Sequence, residues 1–176
     1  LKENINKNKL KNISLIESAV GEKNNSLPLY FANSKNPGAH SLIKDTPQQN
    51  SKTKYLKVKV NTLDSLFEDI EIIHLMKIDI EGFEINALKG GLETLKKVQN
   101  LLIEFSPHLW EDSYNDAKNF FTILSDIGFK PHILEFESLK ELNKSDIDLI
   151  LEVLKNRDFN DLPIRKIQKD LIFTKT

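Results

Sequence analysis

Apolar residues follow two periodicities along this chain, one typical of strands and one typical of helices. Seven segments have the strand pattern: 12–21, 26–33, 55–60, 71–80, 100–106, 129–136 and 170–175. Pro28 confines the second of these to a sheet edge, because proline has no amide hydrogen to donate. The run at 71–80 is nearly continuous, which predicts a strand covered on both faces by helices.

Segments with the helical period lie between these strands. They are 62–70, 85–95, 113–127 and 145–154. Thr62 is the expected cap of the first, and the Gly90–Gly91 pair predicts a break in the second. Ser113 and Ser145 are the expected caps of the last two, each with an aspartate three residues later. Strands that alternate with helices predict an α/β domain with a mostly parallel sheet.

Acidic side chains follow two of the predicted strands, and in open sheets ligands bind beyond such carboxyl ends. Asp79 and Glu81 are two positions apart, so in an extended backbone their carboxylates face the same way and can accept a proton or hold a cation. A structural alternative is that Asp79 ends the strand and Glu81 stabilises the next helix. Glu104 and His108 follow the neighbouring strand, and Glu104 lies near Asp79 if the two strands are adjacent.

Two further interpretations involve histidine. His40, in the loop "NPGAHSL", is a candidate substrate contact, with an exposed bystander as the alternative. Asp79, Glu104 and His108 together suggest the metal site of a lyase or hydrolase, but they lack a fixed helical spacing, so we expect no metal. The sequence has no phosphate-binding loop of the G-x-x-x-x-G-K-[ST] type, no H-E-x-x-H and no nucleophile elbow.

The composition of the chain mainly excludes certain partners and kinds of site. The chain of 176 residues is 39% apolar and 29% charged, and no apolar stretch approaches the roughly 20 residues needed to span a bilayer. Its 25 basic and 26 acidic residues give a net charge of −1, which argues against a nucleic-acid partner. The absence of cysteine excludes disulfides and thiolate zinc sites. We expect a cytoplasmic protein; nothing in the sequence indicates its oligomeric state.

The segment "LMKIDIEGFEINALKGGLETL" (75–95) closely resembles the signature of the FkbM family of S-adenosylmethionine-dependent methyltransferases, K-[IV]-D-[IV]-E-G-x-E-x-x-[VL]-L-K-G. The matching residues are Lys77, Asp79, Glu81, Gly82, Glu84, Leu88, Lys89 and Gly90. Flanking segments at 8–21, 36–42, 58–67 and 101–110 also resemble the family. The likeness therefore covers most of residues 8–136.

This resemblance implies a Rossmann-like class I methyltransferase fold and methyl transfer, and the expected acceptors are hydroxyl oxygens of a small molecule, sugar or lipid. Asp79 or Glu81 would position or deprotonate the acceptor. The resemblance also implies that Ser18, Ala19 and Val20 contact the adenine end of S-adenosylmethionine. The expected substrate contacts are His40, Glu104 and His108.

The family's D-x-G-x-x-x-G loop and the acid after its second strand have no counterpart here, because no stretch before residue 12 can form either strand. We therefore expect one partial domain that lacks its first two strands and binds S-adenosylmethionine poorly. Within it, 12–136 is the core that resembles the family, 137–168 a helical insertion and 170–175 the last strand. The alternative is a non-catalytic α/β binding or scaffold module that retains the signature for packing.

Overall fold

The computed structural model describes residues 1–33, 38–49, 53–135, 138–156 and 169–175. The helices are α1 (Lys2–Lys7), α2 (Leu63–Leu66), α3 (Glu84–Lys89), α4 (Leu92–Lys97), α5 (Ser113–Asp126) and α6 (Lys144–Asn156). The strands are β1 (Ala19–Val20), β2 (Asn25–Tyr30), β3 (Tyr55–Asn61), β4 (Ile73–Ile78), β5 (Val98–Phe105), β6 (Phe129–Glu135), β7 (Ser138–Glu141) and β8 (Lys169–Lys175). Residues 138–156 of the expected insertion are described and form β7 and α6, whereas 137 and 157–168 lie outside the described residues.

The strands form two sheets with mixed strand directions. The smaller sheet has the order β1-β3-β2, in which β1 is parallel and β2 antiparallel to β3. The larger sheet has the order β4-β5-β8-β6-β7, in which β4 and β5 are parallel and the other neighbours are antiparallel. The prediction of a mostly parallel sheet is therefore wrong. The final strand β8 inserts between β5 and β6, so these two strands run the same way without being neighbours.

The first predicted strand is much shorter than expected. Only Ala19 and Val20 pair with β3, through Val60 and Asn61. The apolar residues before them have no partner strand among the described residues, and Ile16 is 49% exposed. An apolar run alone does not make a strand, since its backbone amides also need hydrogen-bond partners on a neighbouring strand. β2 does lie at a sheet edge, as Pro28 predicts.

The main core covers one face of the larger sheet. Strand register places Ile78, Ile103 and Leu171 side by side on this face, and all three are buried. Helix α5 packs against it, with the Phe120 ring 5.3 Å from the Phe105 ring in an edge-to-face arrangement. Aromatic pairs of this geometry add to the free energy gained by burial.

The opposite face of β4 is exposed, which contradicts the expectation of a strand covered on both faces. Leu75 is 67% exposed, and Lys77, on the same face, is exposed as well. β4 also lies at the edge of its sheet. A continuous apolar run in the sequence does not show which helices or strands cover each face of the strand.

Helix termini follow the expected chemistry with shifted positions. Thr62 caps α2 through a hydrogen bond from Ser65 N, as predicted. The α5 cap is Asp112 rather than Ser113, because the Asp112 carboxylate reaches Asn115 N. At α6 the expected Ser145 and Asp148 pair is replaced by Asn143 and Asp146, which exchange side-chain to backbone hydrogen bonds. None of the helices in the described ranges has the length and apolar character that crossing a bilayer requires.

Candidate functional site

A large cleft lies between the smaller sheet and the carboxyl end of β4. Its volume is about 1070 Å³, slightly above the roughly 300–1,000 Å³ of a pocket for one small ligand, so there is space for two bound molecules. Its lining combines the segment before β1, the β2–β3 hairpin and the turn after β4. Six of the residues singled out from the sequence meet here: Ser18, Ala19, Val20, His40, Asp79 and Glu81.

The two sheets are joined at a close contact between glycines. A Cβ atom on Gly90 would lie 2.1 Å from the carbonyl oxygen of Gly21, so only glycine is compatible with this approach. Beside it, Asp64 N donates to the Gly90 carbonyl oxygen at 3.1 Å. The Asp64 carboxylate also accepts from Thr94 N at 2.7 Å and so caps the start of α4. These contacts hold the residues after β1 against the segment between α3 and α4.

The turn after β4 has left-handed backbone geometry at two successive residues. Glu81 has φ +56° and Gly82 has φ +97°. Non-glycine residues adopt this region rarely, and they do so where the surrounding structure fixes the backbone. A Cβ atom on Gly82 would also lie 2.8 Å from both Ile43 Cδ1 and Leu109 Cβ. Gly82 is therefore required for its conformation and for the space around it.

Two buried side chains hold this turn. One carboxylate oxygen of Glu84, which is fully buried, accepts from Ile80 N at 3.2 Å and from Gly82 N at 3.1 Å. On the other side the Ser41 hydroxyl donates to the Glu81 carbonyl oxygen at 2.6 Å. Sequence reasoning missed Glu84 and Ser41; the only signal for Glu84 was its place in the family signature.

The carboxylates at the turn have different environments. Lys77 Nζ lies 2.9 Å from Asp79 Oδ2, and Asp79 raises the pKa of Lys77. Burial, followed by the nearby charges of Glu104 and Asp79, raises the pKa of Glu81. Asp79 is thus paired with a cation, whereas Glu81 is made more basic by its surroundings.

A third carboxyl group close to the turn is more strongly perturbed. Burial raises the pKa of Glu84 to about 7, and the hydrogen bonds from the backbone amides only partly oppose this effect. Glu84 therefore changes charge near neutral pH.

His40 also lines the cleft. Its Nδ1 accepts a hydrogen bond from Ala32 N at 3.0 Å. The His40 ring also packs against Phe31, with 5.2 Å between ring centroids. Both contacts fix the orientation of the ring.

Comparison with known protein families gives a clear result. Residues 2–160 match the methyltransferase FkbM domain. The chain belongs to the FkbM methyltransferase family. Membership makes the chain a methyltransferase domain and implies a class I methyltransferase fold, a methyl-donor cofactor and an acceptor substrate. Neither the curated proteins nor the solved structures include a match to it.

In this FkbM domain β1 and the residues before it line the cleft together with the turn. Ala19 and Val20 are half-buried. The Ser18 hydroxyl is buried and has no hydrogen-bond partner among the described residues. The contact of these three residues with the adenine end of S-adenosylmethionine stays a prediction.

Two predicted residues of the FkbM domain lie outside the lining of the cleft. Ile103 of β5 is paired with Ile78 of β4. Glu104, the next residue, therefore lies beside Asp79, as the adjacency of the two strands predicts. His108 is in a short 3₁₀ helix, Pro107–Leu109, where burial lowers its pKa. Within the described ranges, no three histidine or acidic side chains are arranged to hold a metal ion. The substrate roles of Glu104 and His108 stay predictions.

Proposed function

We propose that this domain is an S-adenosylmethionine-dependent O-methyltransferase whose acceptor hydroxyl lies between His40 and the turn that follows β4. The observation that carries the proposal is the joint presence, in one cleft, of Asp79, Glu81 and the Ser18–Val20 segment. S-adenosylmethionine supplies a methyl group on a positively charged sulfur, open to attack by an oxygen in line with the breaking bond. The residues of this chain have to orient the acceptor and remove its proton.

Glu81 is the better candidate for the base. Its raised pKa makes it a stronger proton acceptor than an ordinary glutamate, and general bases act best when their pKa approaches the working pH. The left-handed turn, held by Ser41 and Glu84, fixes its backbone. Asp79, whose carboxylate lies 2.9 Å from Lys77 Nζ, is suited to accepting a hydrogen bond from the acceptor. In this proposal Glu81 takes the proton and Asp79 orients the hydroxyl.

We also propose that the described strands are the carboxy-terminal part of the domain. β1 and β4 each lie at the edge of their sheets, and the residues that follow or precede them line the same cleft. Exposed strand edges readily pair with further strands. Additional strands that pair with these open edges would complete the two sheets. The single partial domain, with 12–136 as its core, and the cytoplasmic location stay predictions.

Calorimetry on this chain tests the partial-domain proposal. We expect binding of S-adenosylmethionine to be weaker than micromolar, because the sequence has no D-x-G-x-x-x-G loop to hold the cofactor. A micromolar dissociation constant would overturn the proposal that two strands are missing. It would leave the assignment of the base untouched.

Substitution of the two carboxylates tests the catalytic roles in the complete gene product. We expect Glu81→Gln to lower the methyl-transfer rate about 100-fold or more while the melting temperature changes little, as for removal of a general base. Asp79→Asn should have a smaller effect on the rate. Glu93→Gln, on the exposed side of α4, is the matched control. Equal losses of activity and stability in Glu81→Gln would contradict a catalytic role.

One observation favours the alternative of a non-catalytic module. Glu84, Leu88 and Gly90 of the family signature are buried, and Glu84 and Gly90 make contacts that maintain the fold. A signature can be retained for such packing alone. The absence of methyl transfer by the complete gene product, together with intact folding, would support this reading over the enzyme.

A further inference from the structure

Apolar residues form much of one wall of the cleft. On the β2–β3 hairpin, Leu29 pairs with Leu56 across the two strands, and both line the cleft with Val58 and Leu42. Lys57 and Lys59 of β3 also line the cleft. Leu56 is 57% exposed. Sites for small molecules combine such apolar walls with a few polar groups that fix orientation.

His40 is a polar group on this wall, and its tautomer can be derived. A backbone amide can only donate, so the hydrogen bond from Ala32 N requires a lone pair on Nδ1. In the neutral ring the proton is then on Nε2. Nε2–H is consequently a hydrogen-bond donor and has no partner among the described residues. The group that it recognises must therefore be a hydrogen-bond acceptor, in practice an oxygen.

The position of His40 relative to the carboxylates is fixed through its neighbour. Ser41 is buried and donates to the Glu81 carbonyl oxygen at 2.6 Å. The Ser41 backbone also exchanges two hydrogen bonds with Tyr30 at the end of β2. An acceptor held by His40 is therefore held at a set distance from Glu81.

We propose that the methyl acceptor is an apolar alcohol with a second oxygen that accepts a hydrogen bond from His40 Nε2–H, as in an aliphatic hydroxy ester. This inference rests on the proposed function and specifies its substrate class. The apolar side chains of the hairpin contact the hydrocarbon part, and the hydroxyl is left to the carboxylates. A sugar would place several hydroxyls against Leu29, Leu56 and Val58, which cannot replace their hydrogen bonds to water.

Binding of three small probes to this chain tests the proposal by nuclear magnetic resonance. Methyl 3-hydroxyoctanoate has both oxygens, 2-octanol has only the hydroxyl, and methyl glucopyranoside is the sugar. We expect the hydroxy ester to bind about three- to tenfold more tightly than 2-octanol, the range of one neutral hydrogen bond, and the sugar to bind weakest. Binding of the sugar equal to that of the ester, or no binding of the ester, would overturn the proposal.

Three variants locate the interaction. His40→Phe should abolish the difference between the ester and 2-octanol, and His74→Phe, the same change at an exposed position outside the cleft, should preserve it. Leu56→Asn, at an exposed site where folding is not at risk, should weaken both octyl probes several-fold. An unchanged difference in His40→Phe, or unchanged affinities in Leu56→Asn, would contradict the assignment.

The proposed function can fail separately from the acceptor class. Methyl transfer from S-adenosylmethionine by the complete gene product measures the former, and probe binding to the chain measures the latter. If the ester binds at His40 and no methyl transfer occurs with any acceptor, the acceptor chemistry stands and the enzyme assignment fails. If methyl transfer to a sugar occurs and the ester does not bind, only the acceptor class is wrong.

Discussion

The buried carboxyl of Glu84 should make the stability of this domain depend on pH. The pKa of Glu84 in the folded protein is about 7, against an ordinary value of 4.5. Below pH 4.5 the group is protonated in both the folded and the unfolded chain. As the pH rises from 4.5 to about 7, the unfolded chain releases the proton while the folded chain retains it, so the free energy of unfolding decreases.

The size of this decrease follows from the difference in pKa. One unit of difference between the folded and unfolded pKa values corresponds to about 1.36 kcal/mol. The complete loss is therefore roughly 3 kcal/mol, and it is reached above about pH 7. Glu84→Gln removes the titration and keeps an oxygen that can accept from Ile80 N and Gly82 N. We therefore expect the free energy of unfolding of this variant to lack this decrease between pH 4.5 and about pH 7.

Urea unfolding at about pH 5 and about pH 8.5 measures the effect. Trp110 is the only tryptophan and packs in the core against Phe105, so its fluorescence reports unfolding. The unmodified chain should lose roughly 2–3 kcal/mol more than Glu84→Gln between the two pH values. The raised pKa of Glu81 contributes to both proteins and cancels in the comparison. Equal pH dependence within about 0.5 kcal/mol would refute the reasoning.

Gly90→Ala and Asp64→Ala test how the sheets are joined, and Gly128→Ala is the control. Gly90→Ala should destabilise the domain by about 1–3 kcal/mol and shift the resonances of cleft residues, because its Cβ would overlap the Gly21 carbonyl. Gly128→Ala, where φ is +93° and no atom lies within 4 Å, should cost about 1–2 kcal/mol and leave those resonances unchanged. Asp64→Ala removes the hydrogen bond to Thr94 N and should cost about 1 kcal/mol by urea unfolding, with no change if the cap is unimportant.

Local patterns were enough to predict most elements. The period change after residue 61, the break at Gly90–Gly91 and the edge position of Pro28 all reflect chemistry within a few residues, and all three are confirmed. These three inferences depend only on short-range sequence. Asp79 and the Ser18–Val20 segment also line one cleft, although β1 and β4 belong to different sheets.

Other features depend on contacts between distant segments, which periodicity does not encode. The insertion of β8 between β5 and β6 sets the strand directions, and nothing in the sequence of β8 specifies its neighbours. The exposure of Leu75 has the same origin. The role of Ser41 was not predictable, because its partner Glu81 lies 40 residues away. The raised pKa of Glu84 arises from burial, which the acidic residue itself gives no reason to expect.

The hydrogen bond from Ser41 to the Glu81 carbonyl has a practical consequence for protein engineering. It joins two parts of the cleft that are distant in the sequence: the hairpin, which we propose to contact the body of the acceptor, and the turn that carries the carboxylates. Exposed hairpin positions such as Leu56 can therefore be randomised to select for new alcohols, provided that Ser41 is kept. We expect libraries built this way to retain the geometry of the base while their preference among alcohols diverges.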